Sequence, residues 1–345
     1  MDAQQTYFSP FSLAQTLPFL PLAQSQVDYC THLRRQSGLF QQLSRQKKVL
    51  VMLVQGQRLG VPYGSLERAQ QGSGTLSLAL LPGEYVPSFV GSAPGGSSSL
   101  YFLGSASEQH FFALDLDLAK KLSTNSSTAK EVGDFIDRAQ TRFEWLDLKS
   151  FAPRGLSRDV GLATSAVALS SWQNSQQYCP SCGASTQPFA NGWEQVCTQE
   201  GPSREFFARI EPAVITEIVD SKDRLLLAHN TAWEPDRYSL CAGFVEAGES
   251  FERAVRREAM EELQIPLGHM RYLGSQPWPF PSSLMVAFKA QALTDDVTVD
   301  GQEIDHALWV SRDEYSQALS QGTIVPPTQA SVAHYMIEQW YGHML

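Results

Sequence analysis

Three glutamates, Glu258, Glu261 and Glu262, follow one another closely in the chain. On a helix the spacing i, i+3, i+4 would crowd their carboxylates onto one arc of the surface. Like charges so placed repel, by roughly 0.2–0.5 kcal/mol per pair in an isolated helix. Two uses fit the cluster. It could ligate a hard divalent cation such as Mg²⁺ or Mn²⁺, which takes oxygen ligands, or it could be a solvated acidic face countered by Arg253, Arg256 and Arg257. On these three residues alone the two readings are equally good. Ser250 is a suitable N-cap for such a helix, and Val255, Ala259 and Leu263 recur at helical spacing, so an apolar stripe would be buried beside the carboxylates.

A second group with metal-ligand spacing lies upstream. Cys179-Pro-Ser-Cys182-Gly183 is a knuckle in which two thiolates can face one ion, and Cys197 follows. A four-thiolate ribbon would need another cysteine where Glu200 stands. Three readings are open: zinc held by Cys179, Cys182, Cys197 and Glu200; zinc completed by another donor or water; or a ribbon that folds without metal. A redox pair is disfavoured because no thioredoxin-like βαβ pattern surrounds it. In each reading the segment is structural.

Between Ser275 and Ser283 three prolines alternate with aromatic residues, as Ser-Gln-Pro-Trp-Pro-Phe-Pro-Ser-Ser. Such a stretch is stiff, extended and poor in backbone donors, which suits a fixed wall against a flat ring. It equally suits a rigid surface loop or a polyproline segment for a partner.

Taken together, Gly243, Glu249, Arg257, Glu258, Glu261 and Glu262 stand at the spacing of the Nudix box, and the chain resembles that box at every charged position. Gln264 replaces the last glycine of the box; it lies beyond the carboxylates, so a changed helix exit is expected rather than lost chemistry. The proline-aromatic stretch resembles the SQPWPFPxS signature that follows the box in NADH pyrophosphatases. With the cysteine ribbon ahead of both, residues 172–345 are similar to the bacterial-type NADH pyrophosphatase subfamily of the Nudix superfamily.

The resemblance implies metal-dependent hydrolysis of the pyrophosphate of NAD(H) to NMN(H) and AMP, and removal of NAD caps from RNA 5′ ends. It implies Mg²⁺ or Mn²⁺ held by Glu258, Glu262 and Glu303 with the carbonyl of Ala242. Glu249 and Glu261 would complete the acidic cluster, Arg257 would orient it by ion pairing, and the general base stays open among the glutamates. Phe244 would stack on the nicotinamide. Phe207 matches an aromatic that is usually Tyr, so stacking is kept and a phenolic hydroxyl lost. Gln276, Pro277, Trp278, Pro279, Phe280, Pro281, Ser282 and Ser283 would line the nucleotide pocket, and Ala333 would touch substrate through its backbone. A homodimer is also implied. Two alternatives stand: a Nudix hydrolase of another nucleoside diphosphate derivative, and a non-catalytic Nudix-fold scaffold. Degeneration to a scaffold normally strikes the metal-binding glutamates first, and all are present.

The elements that must position these residues follow from length and pattern. At roughly 100–200 residues per domain, 345 residues predict two or three units. Twenty-six basic against thirty-six acidic side chains give a net charge of -10, so no global basic field exists for bulk nucleic acid or an anionic membrane. No apolar run reaches the roughly 20 residues needed to span a bilayer. The stretch Leu17–Leu22 is broken by proline and lacks a preceding basic residue, so it does not read as a secretory signal. Five cysteines, an odd number, suit a reducing compartment, which predicts a cytoplasmic protein. The terminal His343-Met344-Leu345 is only a weak match to a peroxisomal tripeptide.

The expected fold class is α+β. Residues 1–155 should form a mostly β domain, from apolar runs at 49–54, 76–81, 99–104 and 110–118. Within it a loop is expected at Ala93–Ser99, and a polar break at Ser123–Thr128 before a helix around 130–145. His32, His110 and Cys30 stand singly and read as structural. Residues 156–177 read as a connecting helix, with Leu162, Ala166, Leu169 and Trp172 at helical spacing. Residues 178–210 form the zinc-ribbon-like segment, and 211–345 a Nudix domain, for which the resemblance implies an α/β/α sandwich.

Overall fold

The computed structural model describes residues 20–23, 26–46, 48–87, 98–124 and 126–345. Leu17–Phe19, Ala93–Ser97 and Asn125 of the expectations above lie outside the described residues. The chain divides into two compact units. One comprises Leu22–Arg209 with Pro279–Ser282; the other comprises Ile210–Trp278 and Ser283–Leu345, which Leu20 and Pro21 join.

The first unit is built on a six-stranded sheet in the spatial order Leu100–Ala106, Gln109–Asp115, Val49–Gln55, Arg58–Val61, Glu144–Asp147, with Leu80–Pro82 pairing to Val49–Gln55. The apolar runs at 49–54 and 99–104 form strands as their β-branched and aromatic content suggests. The run at 110–118 does not stay extended. Asp115 caps a helix at Leu116–Ser123 by accepting from the Leu118 N–H at 2.9 Å, so the strand stops where a carboxylate can satisfy the first donors of a helix. The run at 76–81 is strand only at its end, because Leu78 N–H donates to the buried Asp159 carboxylate at 3.0 Å instead of to a neighbouring strand. Helices Leu39–Ser44, Leu116–Ser123 and Ala129–Arg142 bury Leu39, Phe40, Leu116, Val132 and Ile136 against Val51, Phe112 and Leu114 of the sheet. The helical share of this half is larger than its strand-like spacing suggests. The long helix Ser157–Ser175 leads into a three-stranded ribbon of Thr186–Phe189, Glu194–Cys197 and Gly201–Phe207.

The second unit also has a six-stranded sheet, in the order Leu267–Trp278, Ser283–Ala292, Glu211–Val219, Leu225–Asn230, Ile304–Val310, with Cys241–Phe244 pairing to Glu211–Val219. Alternation along Glu211–Val219 sends its side chains to two cores. Val214 and Ile218 meet Val255, Ala259 and Leu263 of helix Phe251–Leu263. Ile215 and Val219 meet Tyr315, Met336, Ile337 and Trp340 of the helices Arg312–Gln321 and Val332–Tyr341. The sheet is thus covered by helices on both faces. No helix among the described residues is long and apolar enough to cross a membrane.

Helix Phe251–Leu263 begins as its sequence predicts, with Ser250 Oγ accepting from the Arg253 N–H at 3.3 Å. Its exit differs from expectation. Gln264 adopts the left-handed conformation itself (φ 53°, ψ 32°), keeping the turn that a glycine would make. The side chain costs roughly 1–2 kcal/mol there, and the Gln264 N–H still closes the helix on the carbonyls of Ala259 and Met260.

Candidate active site

The box helix Phe251–Leu263 and the strand Cys241–Phe244 pack against each other, and the acidic cluster is gathered at their contact. Glu258 is 8% and Glu262 4% exposed. Gly243 makes room for the first of them: a Cβ at that position would come within 2.1 Å of the Glu258 carboxyl carbon. One guanidinium holds the cluster. Arg257 Nε donates to Glu249 at 3.0 and 3.2 Å, Nη2 to Glu249 at 2.9 Å and to the Phe244 carbonyl at 2.8 Å, and Nη1 to Glu258 at 2.8 Å and Glu261 at 2.9 Å. The planar fork of arginine permits three carboxylates to be held at once, where a lysine would act as a point charge. The Arg257 bond holds Glu249 below its ordinary pKa.

The deeper carboxylates are shifted the other way. Burial raises Glu258 even against the Arg257 hydrogen bond. Burial, then the like charges of Glu258, Glu303 and Asp300, push Glu262 up to about 7, although the neighbouring Cys241 thiol works against the shift. Glu262 Oε2 is buried with no hydrogen-bond partner. A solvent-excluded carboxylate oxygen with no donor, facing other carboxylates, is an environment that a bound cation would stabilise. The donor set, all oxygen, suits a hard divalent ion.

Glu303 stands on a turn set by Asp300, whose side chain accepts from the N–H groups of Gln302 at 3.2 Å, Glu303 at 3.2 Å and Ile304 at 2.9 Å. The Asp300-Gly301 pair was the sequence signal for that turn, which the motif reading passed over. Ala242 pairs with Ile215 within the sheet. The oxygens of Glu258, Glu262 and Glu303 are not all within 4.8 Å of one another, so the three do not form a closed single-ion shell as placed.

The residues expected to meet the rings and the nucleotide are distributed as follows. Phe244, at the end of its strand, is 56% exposed, and Phe207, at the end of the ribbon, is 61% exposed. Gln276 does not line a pocket. It is fully buried; its Nε2 donates to the Pro21 carbonyl at 2.7 Å and the Ala330 carbonyl at 2.9 Å, and its Oε1 accepts from the Val332 N–H at 2.7 Å. Both donor hydrogens and the acceptor are engaged inside the unit. Pro277, Trp278, Phe280, Ser282 and Ser283 are half-buried, Pro279 buried and Pro281 exposed. Lys149, which no motif singled out, places its Nζ 4.4 Å from the centre of the Phe280 ring.

Ala333 lies in the first turn of helix Val332–Tyr341 with its side chain in the core. Gln276 caps the Val332 N–H and Ser331 Oγ caps the His334 N–H at 3.4 Å. The Ala333 N–H between them has no acceptor among the described residues, leaving one helix N-terminal donor open.

In the ribbon, the sulfurs of Cys179, Cys182 and Cys197 all lie within 4.8 Å of one another, and Cys182 Sγ is 3.5 Å from Cys197 Sγ. Gly183 at φ 72° lets the knuckle turn back. Desolvation raises the Cys179 thiol, but N–H groups of Cys182 and Ser181 and the neighbouring thiols outweigh it, so the group sits below its ordinary pKa. Glu200 is not gathered with the thiols. Its carboxylate accepts at 2.6 Å from Nε of Arg204 on the following strand, a partner that the cysteine spacing gave no reason to expect.

The NUDIX domain family matches residues 209–329, and the NADH pyrophosphatase-like rudimentary NUDIX domain matches residues 27–172. The NAD-capped RNA hydrolase NudC of Mycobacterium bovis (strain BCG / Pasteur 1173P2) is 42% identical over 201 residues, which cover 54% of this chain and 64% of that protein. The NAD-capped RNA hydrolase NUDT12 of Macaca fascicularis is 34% identical over 194 residues, covering 53% of this chain and 42% of that protein. The match therefore spans less than two thirds of the length of these curated relatives. Among solved structures, a NUDIX hydrolase from Nitrosomonas europaea aligns with 49% of this chain and 94% of its own at 20% identity and a TM-score of 0.37.

Proposed function

We propose, since the chain belongs to the Nudix superfamily and carries an NADH pyrophosphatase-like domain ahead of its Nudix domain, that it cuts the pyrophosphate of NAD(H) to give NMN(H) and AMP. The observation that carries this reading is the buried pair Glu258 and Glu262 with Arg257 fixed beside it. A pyrophosphate is multiply anionic and repels a nucleophile. Mg²⁺ or Mn²⁺, when held there, would neutralise the phosphate oxygens and lower the pKa of an attacking water. Glu258, Glu262, Glu303 and the Ala242 carbonyl would hold the ions. Arg257 keeps Glu249, Glu258 and Glu261 from drifting apart under their own repulsion, and the base is one of the box glutamates. Within the Nudix unit Phe244 offers a flat apolar face for a ring, Pro277 and Trp278 supply a stiff wall, and the open Ala333 N–H suits a phosphate or carbonyl oxygen. NAD-capped RNA is a second substrate of the same chemistry, favoured by the names of both relatives. We further assign the protein to the cytoplasm, as a homodimer.

Incubating the pure protein with NADH and Mg²⁺ or Mn²⁺, and separating products by chromatography, tests the reading. NMNH and AMP are expected. Cleavage of ADP-ribose but not of NADH would shift the assignment to another nucleoside diphosphate derivative, and no cleavage of any such substrate would leave a scaffold.

Ring recognition has its own test. A ring stacked on an aromatic side chain contributes roughly 0.5–1.5 kcal/mol beyond its buried area. Phe244→Ala should therefore raise KM for NADH while changing hydrolysis of ADP-ribose, which lacks the nicotinamide, much less. Equal losses on both substrates would mean that Phe244 only supports its loop.

For the ribbon we propose zinc held by the thiolates of Cys179, Cys182 and Cys197. Metal analysis of protein prepared without chelator should find about one zinc per chain, as expected for a structural site. Cys182→Ser should lose it, Glu200→Ala should keep it, and Glu200→Cys should bind at least as tightly. Zinc lost in Glu200→Ala would restore the carboxylate as fourth ligand.

A further inference from the structure

A cavity of about 230 Å³ lies wholly within the first unit, between residues 34–41 and residues 188–192 of the ribbon, with Ser98 at its edge. Its walls are fixed. Asn191 Nδ2 donates to the carbonyls of Arg34 at 2.7 Å and Gln36 at 3.1 Å, and Trp193 Nε1 to the Phe102 carbonyl at 2.6 Å. Gly192 packs so tightly that a Cβ would come within 2.3 Å of the Tyr101 ring.

Two arginines line this cavity, and they differ in one respect. Arg35 is neutralised: its Nη2 lies 2.7 Å from Glu194 and 2.7 Å from Glu205, with Nε 3.2 Å from Glu194. Arg34 is not. Its guanidinium carbon sits 3.4 Å from the centre of the Trp193 ring and 5.4 Å from that of Tyr29, yet no carboxylate comes within ion-pairing distance among the described residues. Its Nε is buried and has no acceptor. An aromatic face attracts a cation but accepts none of the in-plane N–H groups. A half-buried guanidinium whose Nε has no acceptor is stabilised by a nearby oxyanion, and Glu194, which attracts Arg34 only through space, has its oxygens hydrogen-bonded to Arg35. Ser37 and Ser98 bring hydroxyls to the same cavity, and Ser98 Oγ, which accepts from the Leu100 N–H at 3.0 Å, keeps its hydrogen to donate.

We propose that this cavity binds a phosphate monoester, with Arg34 as its charged ligand. Phosphate offers more acceptor oxygens than a carboxylate, matching a guanidinium fork plus hydroxyl donors. The cavity lies below the usual range of roughly 300–1,000 Å³ for small-molecule sites, so it takes a phosphate and part of the group that carries it. The site lies outside the carboxylate cluster and stands whether or not the reading of that cluster is right.

Titration calorimetry on the full chain at low salt, with chelator present so that the carboxylates hold no divalent ion, tests it with inorganic phosphate, AMP and the diester ApA. Phosphate and AMP should bind, and their binding should change the fluorescence of wild-type protein but not of Trp193→Phe, which lacks the indole under Arg34. Arg34→Gln should weaken both at least about tenfold, as expected for loss of a charge-assisted pair. Arg34→Lys keeps the charge and loses the fork, and should also bind more weakly while retaining the wild-type circular dichroism. ApA binding as tightly as AMP would overturn the monoester assignment in favour of a phosphodiester. No binding by any of the three, or equal binding by wild type, Arg34→Gln and Arg34→Lys, overturns the proposal.

Discussion

Glu262→Gln should lower NADH turnover by at least about a hundredfold with saturating Mg²⁺ or Mn²⁺, because a lost metal ligand costs more than the roughly 10–100-fold typical of an outer-shell partner. The fold should survive, and in the presence of chelator it should gain stability. The direction follows from the raised pKa. An unfolded glutamate ionises near 4.5, whereas Glu262 in the folded chain ionises near 7. Below both values the group is neutral in both states and carries no penalty. As pH rises from about 4.5 to about 7, the unfolded chain loses its proton first, so the folded state becomes relatively less stable, and above about 7 the penalty is complete. The amide variant escapes it, so the difference in Tm, variant minus wild type, should widen over that window. Near wild-type turnover would sink the assignment of Glu262, and a pH-independent Tm difference would contradict its burial as a charge.

Gly243→Ala tests the same site from the strand side. The added methyl would meet the Glu258 carboxyl carbon and Oε1 at 2.1 Å, a separation no real contact keeps. What must move is the end of a flexible side chain, so the fold should persist with little loss. The carboxylate, however, would be driven from its 2.8 Å bond to Arg257. Turnover should fall on the scale of removing Glu258 itself, about a hundredfold or more, and Mn²⁺ affinity measured by calorimetry should fall with it. Full activity in this variant would show that Glu258 has no need of its present place.

What the sequence disclosed and what it hid divide along contact distance. The box helix was legible because its cap, apolar stripe and charges all lie within one short stretch: Ser250 caps it and Val255, Ala259 and Leu263 are buried. Gln264 was misjudged because glycine favours the left-handed turn without being the sole residue able to make it. Gln276 looked like a pocket residue from its motif, while its true partners Pro21, Ala330 and Val332 are far away in the chain. The extended pattern at 110–118 gave no hint that Asp115 would serve as a cap, or that Tyr101 would donate to its carboxylate at 2.6 Å. Arg34 carried no motif at all; its state depends on Trp193, which only the folded chain brings beneath it.

The fully engaged amide of Gln276 also bears on how the protein ages. Its nitrogen supplies two hydrogens to two carbonyls. Slow hydrolysis of that amide, which converts a glutamine into a carboxylate of the same size, would set an anion against both oxygens and release the start of helix Val332–Tyr341 from the sheet. Because the side chain has no exposure to solvent, the water that this damage requires is kept out by the packing it would destroy. The first loosening of that packing, by heat or by a distant mutation, would therefore open the way to a chemical lesion that later cooling could not reverse.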